Sequence, residues 1–278
     1  ISIVKVLLIL NKAPLIAFAW AALSEIVIGS LGLIIFYRFN GYSMRKWYAS
    51  SSRARELLIQ SWPLMLSGLA IMIYMKIDQV MLGQMLGEFS VGIYTAAVKL
   101  SEVWYFIPTA IVASVTPAIY SAKKISETLY YQRLQKLFNI IVVIAYGVAL
   151  TMTFFSGWLI HLLFGNEYIS AGPVLAIHIW SAVFVFIGIA RNVFIISEGL
   201  MKFSFVTTII GAIVNIAANI LLIPLYGPLG AAVATLVSYV IASYFGGFFY
   251  SKTFRITVMI TYSLLLSGFK KQTKSEYQ

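Results

Sequence analysis

Apolar runs long enough to cross a bilayer alternate strictly with breaks that are basic at every second position. Nothing else in the sequence constrains the fold as tightly. The runs fall at roughly 1–11, 14–37, 57–82, 90–118, 135–163, 172–196, 203–225 and 229–250. Each of the last seven is long enough to span ~30 Å of hydrocarbon as a helix, which takes about 20 apolar residues. The first is too short to span. It opens at Ile1 without a Met and is expected to be the tail of a helix in a longer protein.

The breaks sort by charge. The stretch 38–55 carries Arg38, Arg45, Lys46, Arg53 and Arg55, and 119–136 carries Lys123, Lys124, Arg133 and Lys136. The 197–202 turn has Lys202, and the tail has Lys252, Arg255, Lys270, Lys271 and Lys274. The intervening turns, near 12, 83–89, 164–171 and 226–228, hold only Lys12. Basic loops stay on the cytoplasmic side of a membrane, so this asymmetry predicts an orientation with the basic breaks and the C-terminus in the cytoplasm.

Composition excludes the alternatives. Only 10% of residues are charged against 61% hydrophobic, with a mean hydropathy of +0.92, whereas a soluble domain carries about 25% charge. The net charge of +11 would suggest nucleic acid in a soluble protein, but here its placement makes it a topology signal and an attraction to anionic membrane lipids. With 17 Tyr and 19 Phe, the aromatic content suits a membrane bundle and calls for no base stacking. There is no cysteine, and the two histidines, His161 and His178, lie on different segments without metal-ligand spacing. No phosphate-binding loop, nucleophile elbow or zinc-protease motif occurs, and no cofactor or metal is expected. The outer turns are too short for an external active site. The segment 256–269, too short to span and followed by lysines, is expected to lie at the interface.

Ionisable residues within the spans are costly in hydrocarbon and therefore informative. They are Glu25, Lys76, Asp78, Lys99, Glu102 and Arg191. Reflecting Asp78 through a turn near residue 86 lands near residue 94, which leaves Lys99 about 7 or 8 Å deeper and within reach of a bent lysine stem. Lys99 and Glu102 are three apart, on one helix face. A cluster of Asp78, Lys99 and Glu102 follows, readable as a salt-bridge staple or as an ion-coupling group. Glu25 is a proton-binding carboxyl or a neutral acid bonded to another helix. Arg191, five residues from the basic end of its span, snorkels to phosphate headgroups or faces a cavity. Lys76 snorkels outward, and His178 is a packed, hydrogen-bonded histidine. Pro108 should kink its helix. Gly230, Ala234, Ser238, Ala242 and Gly246 form a small-residue strip suited to close helix approach, and Gly211, Asn215 and Asn219 form a polar strip that should face the bundle interior.

Three stretches carry a family resemblance: IDQVMLGQMLGEFSVGIYTAAVKLSEVWYFIPTAI from Ile77 to Ile111, LFGNEYISAGPVLAIHIW from Leu163 to Trp180, and NIAANILLIPLYGPLGAAVAT from Asn215 to Thr235. The chain resembles the polysaccharide-biosynthesis flippases of bacteria and archaea, the oligosaccharide repeat-unit translocases of the multidrug/oligosaccharidyl-lipid/polysaccharide exporter superfamily. The resemblance implies an all-α polytopic membrane protein of about twelve helices in two lobes. This chain would supply the end of the first lobe (1–37), a basic linker (38–56), the second six-helix lobe (57–250) and a basic tail (251–278).

It further implies alternating-access transfer of a polyprenyl-pyrophosphate-linked oligosaccharide from the inner to the outer leaflet of the cytoplasmic membrane. The product would serve O-antigen lipopolysaccharide or other surface polysaccharide, with other polysaccharide-assembly proteins as further partners. Carried over by position, Lys99 and Arg191 are candidates to hold the pyrophosphate, and Asp78, Glu102 and Glu25 candidates for ion coupling or charge pairing. The alternatives are a small-molecule antiporter of the same superfamily and a membrane-embedded glycosyltransferase or polymerase.

Overall fold

The computed structural model describes residues 4–5, 7–8, 13–43, 48 and 50–267. The basic residues Lys12, Arg45, Lys46, Lys270, Lys271 and Lys274 of the sequence reading lie outside them. Among the described residues the secondary structure is entirely helical, and six helical segments are long and apolar enough to cross a membrane. The protein is an all-α polytopic membrane protein.

The helices are α1 (Leu15–Phe39), α2 (Ser51–Leu86), α3 (Glu88–Glu102), α4 (Phe106–Ile125), α5 (Glu127–Phe164), α6 (Ala171–Ser197), α7 (Met201–Tyr226), α8 (Pro228–Ser243) and α9 (Ser251–Leu264). The seven spanning runs read from the sequence fall on them, with 57–82 inside α2, 90–118 shared by α3 and α4, and 229–250 continuing past α8 into a 3₁₀ helix, Phe245–Phe249. The chain divides into two compact units, Ile1–Gln60 and Ser61–Gln278.

In the first unit, α1 closes with the Asn40 side-chain amide donating to Phe36 O at 2.9 Å. Its one internal acid, Glu25, accepts from Lys5 Nζ at 2.8 Å, both side chains being about half exposed. Neither sequence reading of Glu25, a free proton-binding carboxyl or a neutral acid, foresaw this partner. Lys5 lies outside the helix that carries Glu25, where spacing along one helix cannot detect it.

In the second unit the helices run up and down through short turns. At one end the connections are Gly87, residues 165–170 and Gly227; Gly227 adopts φ +57° and hands over to Pro228, whose fixed φ starts α8. The other end carries the basic side chains. There Lys123 Nζ donates to Ser197 O at 2.7 Å and to Glu198 Oε1 at 2.6 Å, tying the end of α4 to that of α6. We refer to these as the turn end and the basic end.

The core lies where α5 and α6 pack side by side, with Phe138, Ile141, Ile160, Leu175, Ile179 and Phe186 fully buried. The α7–α8 hairpin closes more tightly. A Cβ on Gly211 would sit 2.7 Å from Ala242 Cβ, and one on Gly230 would run into the backbone carbonyl of Leu222. The small-residue strip of α8 therefore meets α7 almost backbone to backbone, as small residues allow in lipid.

Proline acts as the sequence suggested, with a specific address. Pro108 cannot donate to the carbonyl of Trp104, and its ring crowds that turn. A 3₁₀ turn, Val103–Tyr105, centres on Trp104 and separates α3 from α4.

The C-terminal helix α9 buries Thr253, Ile256, Thr257, Ile260 and Ser263. Gln135 Nε2 donates to Met259 O at 3.1 Å and Ser263 Oγ at 2.8 Å, Ser263 Oγ donates to Asn139 Oδ1 at 2.6 Å, and Tyr146 OH donates to Leu264 O at 3.0 Å. With Arg255 against Glu127 at 3.4 Å, the contacts show α9 running beside the first half of α5 in the same direction. The part of the 256–269 segment beyond 267 lies outside the described residues.

Candidate functional site

Asp78 sits eight residues before the turn end of α2, about 12 Å along the helix, and is only 3% exposed. A carboxylate withdrawn from water is stable only if its lone pairs are satisfied. Three neighbouring helices supply the donors. Tyr94 OH on α3 donates to Oδ2 at 2.7 Å, Thr235 Oγ1 on α8 to Oδ2 at 2.5 Å, and Asn219 Nδ2 on α7 to Oδ1 at 2.5 Å. Among the described residues, no cation pairs with it.

The donors have second choices. Thr235 Oγ1 also lies 2.9 Å from Ala231 O, and a hydroxyl has one proton to give. Asn219 Nδ2 also reaches Asn215 Oδ1 at 3.1 Å. Tyr94 OH and Thr235 Oγ1 are 3.0 Å apart, and either can donate to the other. If a proton arrives on Asp78, Thr235 can turn its own proton to Ala231 O and accept one from the carboxyl. The carboxyl of Asp78 thus has partners in both its ionised and its protonated form without moving a backbone, while Asn215 Nδ2 and Asn219 Oδ1 beside it are buried without a partner among the described residues.

His178 packs edge-on to Tyr94, with ring centroids 5.9 Å apart and the planes at 87°. It is buried as the sequence suggested, but its Nδ1 finds no hydrogen-bond partner among the described residues.

The expected Asp78–Lys99 contact is not formed. Reflection through the turn does land on residue 94, and Tyr94 is the partner. Lys99 is five residues further on, about 140° around the helix, and it is exposed. Glu102 is half-buried, and among the described residues it forms no ion pair with its i−3 neighbour Lys99 or with another basic side chain. Tyr94 and Thr235 escaped the sequence reading because a tyrosine or threonine within a membrane span is ordinary. The strip Asn215–Asn219 was the legible signal, and both residues are fully buried.

A second polar site lies nearer the basic end. Arg191, six residues before the end of α6, is 6% exposed. Its Nη1 donates to Ala242 O at 3.2 Å and Ser243 O at 2.9 Å, the last carbonyls of α8, where the helix dipole favours a cation. Its guanidinium lies 5.8 Å from the centre of the Phe203 ring. Snorkelling is therefore not what this side chain does. It caps α8 and forms part of the wall of a cavity of about 210 Å³ that Tyr105, Asn192, Ser204, Thr208 and Tyr239 also line. Lys99 is not among the lining residues, so the structure does not bring the two candidate cationic residues together in this cavity.

Residues 1–173 match the family described as "Polysaccharide biosynthesis protein". The chain is 28% identical over 249 residues to the "Probable flippase AglR" of Haloferax volcanii, covering 87% of this chain and 50% of that protein. It is 35% identical over 121 residues to the "Uncharacterized membrane protein MJ1068" of Methanocaldococcus jannaschii, covering 42% of this chain and 23% of that one. It is 23% identical over 237 residues to the "Capsular polysaccharide biosynthesis protein CapF" of Staphylococcus aureus, covering 81% and 60%. The chain thus spans about half the length of AglR, and less than two thirds of each of these relatives. No solved structure matches it.

Proposed function

The chain belongs to the family of polysaccharide biosynthesis proteins, and from that premise we propose that it is part of a flippase coupled to proton uptake at Asp78. The cargo on this reading is a polyprenyl-pyrophosphate-linked oligosaccharide, moved from the inner to the outer leaflet with the basic end of the helices in the cytoplasm. The name of the relative AglR and the alternation of basic and uncharged breaks support it.

The observation that carries the coupling is the Asp78 network. A carboxylate buried among four spanning helices, bonded to neutral donors that each have a second partner, is built to change protonation state at membrane depth. Three helices converge on α2 there through Tyr94, Asn219 and Thr235, so a change of charge on Asp78 alters bonding among all four. Such a change supplies the differential interaction that a two-state transporter needs.

The test is complementation. A strain lacking its own flippase receives the full-length protein or its Asp78→Asn variant, and surface glycan is measured relative to membrane abundance. Asn preserves shape and most hydrogen bonding but cannot titrate, so export should fall to background at normal protein levels. Export at the wild-type rate by Asp78→Asn would show that no proton needs to be bound there.

A further inference from the structure

Asp78 is withdrawn from solvent, yet the cavity near the basic end comes within one helical turn of it. Both are built on the same three helices. On α2 the cavity is lined by Met75, three residues from Asp78, and on α8 by Tyr239, four residues from Thr235. On α7 it is lined by Ser204 and Thr208, and Thr208 is seven residues from Asn215. Spacings of three, four and seven keep residues on one helix face. The step from Met75 to Asp78 is only ~4.5 Å along the axis.

The opposite direction is closed. One turn from Asp78, Asn219 and Thr235 toward the turn end stand Leu82, Ile223 and Ala231, all apolar and fully buried. The acid therefore has an apolar seal on one side and a polar cavity on the other.

The amides beside Asp78 indicate what bridges the gap to the cavity. Asn219 Nδ2 donates to the carboxylate and to Asn215 Oδ1, which fixes the orientation of both amides. Asn219 Oδ1 and Asn215 Nδ2, an acceptor and a donor, are then buried without a partner among the described residues. Ordered water satisfies buried polar groups of this kind where there is room. The cavity, about 210 Å³, has room for several waters at ~30 Å³ each. The hydroxyls of Ser204, Thr208 and Tyr239 and the amide of Asn192 line it, and each can donate and accept. Asn192 is exposed, five residues before the end of α6, so the cavity opens toward the basic end.

Few ionisable groups surround the acid. Tyr94 on α3 bonds to it, His178 on α6 packs against Tyr94, and Tyr239 stands one turn away on α8. Lys76 and Lys99 are exposed, and Glu102 is half-buried. Among the described residues that line the cavity only Arg191 is charged, and it is turned to the carbonyls that end α8. Its charge disfavours a proton at rest in the cavity, so the proton sits on Asp78 or in bulk water.

We infer that this cavity is a water-filled path by which Asp78 exchanges its proton with the basic end, with Met75 and Tyr239 as the gate between path and acid. The inference rests on the proton-coupled reading of Asp78 and names the side from which that proton comes and goes. On release, the O–H bond of the carboxylic acid breaks toward water in the gap, and the carboxylate keeps the electron pair. Thr235 turns its own proton from Ala231 O back to Oδ2, and the hydrated proton leaves at the basic end. Uptake is the reverse.

The chain has no cysteine, so Thr208→Cys in the full-length protein, with any cysteine elsewhere replaced by serine, is a single target. An impermeant methanethiosulfonate is offered from each side of membrane vesicles in turn. Thr208→Cys should react from the side that labels Lys124→Cys, and not from the side that labels Glu167→Cys. The second readout is infrared. The carboxylic C=O band of protonated Asp78 is identified by its loss in Asp78→Asn, and its rise is followed after an acid pH jump in nanodiscs. Labelled Thr208→Cys has a plugged cavity, so the band should rise about tenfold more slowly or slower still, since the barrier gains at least one charge-assisted hydrogen bond. The midpoint of its titration should not move.

Labelling from the Glu167 side alone, labelling from neither side, or a rate unchanged by the label would each overturn the path. A slower rise with a shifted midpoint would place Thr208 in the Asp78 network itself and overturn it as well. Export by Asp78→Asn at the wild-type rate, with labelling and kinetics as expected, would remove the coupling alone and leave water access to Asp78 established.

Discussion

The hydroxyl of Tyr94 reaches back across the α2–α3 turn to Asp78, sixteen positions earlier in the chain, and closes a buried hydrogen bond of 2.7 Å. That bond replaces the salt bridge that charge alone would suggest, and it makes the acid's environment neutral. Tyr94→Phe removes one donor to a buried carboxylate and should cost about 1–2 kcal/mol. This exceeds the ~0.6 kcal/mol average for interhelical bonds in membranes because the acceptor is ionic. Lys99→Gln, at an exposed site, should stay within about 0.5 kcal/mol of wild type. Thermal unfolding in detergent measures both, and an equal loss in the two variants would mean that Lys99 does serve Asp78.

The hairpin of α2 and α3 shows how much of the site could be seen in the sequence. Apolar run lengths located the spans to within a few residues, because hydrocarbon thickness fixes helix length. Counting back through the turn even reached residue 94. It then failed on phase: depth follows from residue number, but the direction of a side chain follows from its angle around the helix, and a five-residue step turns it away. For Glu25 and Arg191 it was the bonding partner that the sequence hid. Their partners, Lys5 and the last carbonyls of α8, are twenty and about fifty positions away, and backbone carbonyls leave no mark in a sequence at all.

Orientation is open to a direct experiment. Lys124 at the basic end and Glu167 at the turn end are both exposed. With cysteine introduced at each in the full-length protein, an impermeant thiol reagent on intact cells should label Glu167→Cys and spare Lys124→Cys until the cells are opened. The reverse pattern would invert the assignment of the basic end to the cytoplasm.

The closeness of α7 and α8 predicts a rescue. Gly211→Ala would force its new methyl within 2.7 Å of Ala242 Cβ, and overpacking of this kind costs about 1–3 kcal/mol. Adding Ala242→Gly removes the opposing methyl and should restore most of the loss, read as recovery of the unfolding midpoint. Two substitutions whose losses simply add would mean that the helices do not meet at this pair.

The attachment of α9 rests on a small polar cluster. Asn139 Oδ1 accepts from Gln135 Nε2 at 2.9 Å and from Ser263 Oγ at 2.6 Å. Asn139→Leu leaves both donors without that acceptor in a buried setting. Amide hydrogen exchange across 251–264 should accelerate roughly tenfold or more, since each 1.4 kcal/mol of lost stability is tenfold in the opening equilibrium. Unchanged protection there would show that the apolar face of α9 suffices to hold it.

The glycine-sealed seam between α7 and α8 has a mechanical meaning. Asn215 and Asn219 on α7 and Thr235 on α8 belong to the Asp78 network, while Ser204 and Thr208 on α7 and Tyr239 and Ser243 on α8 border the Arg191 cavity. Two helices that touch backbone to backbone at Gly211 and again at Gly230 have no side-chain layer between them to absorb slip. The pair behaves as a double-stemmed lever, with the acid near one end and the guanidinium near the other, eight residues or about 12 Å apart along α8. A tilt begun at either end is delivered to the other by stiffness alone.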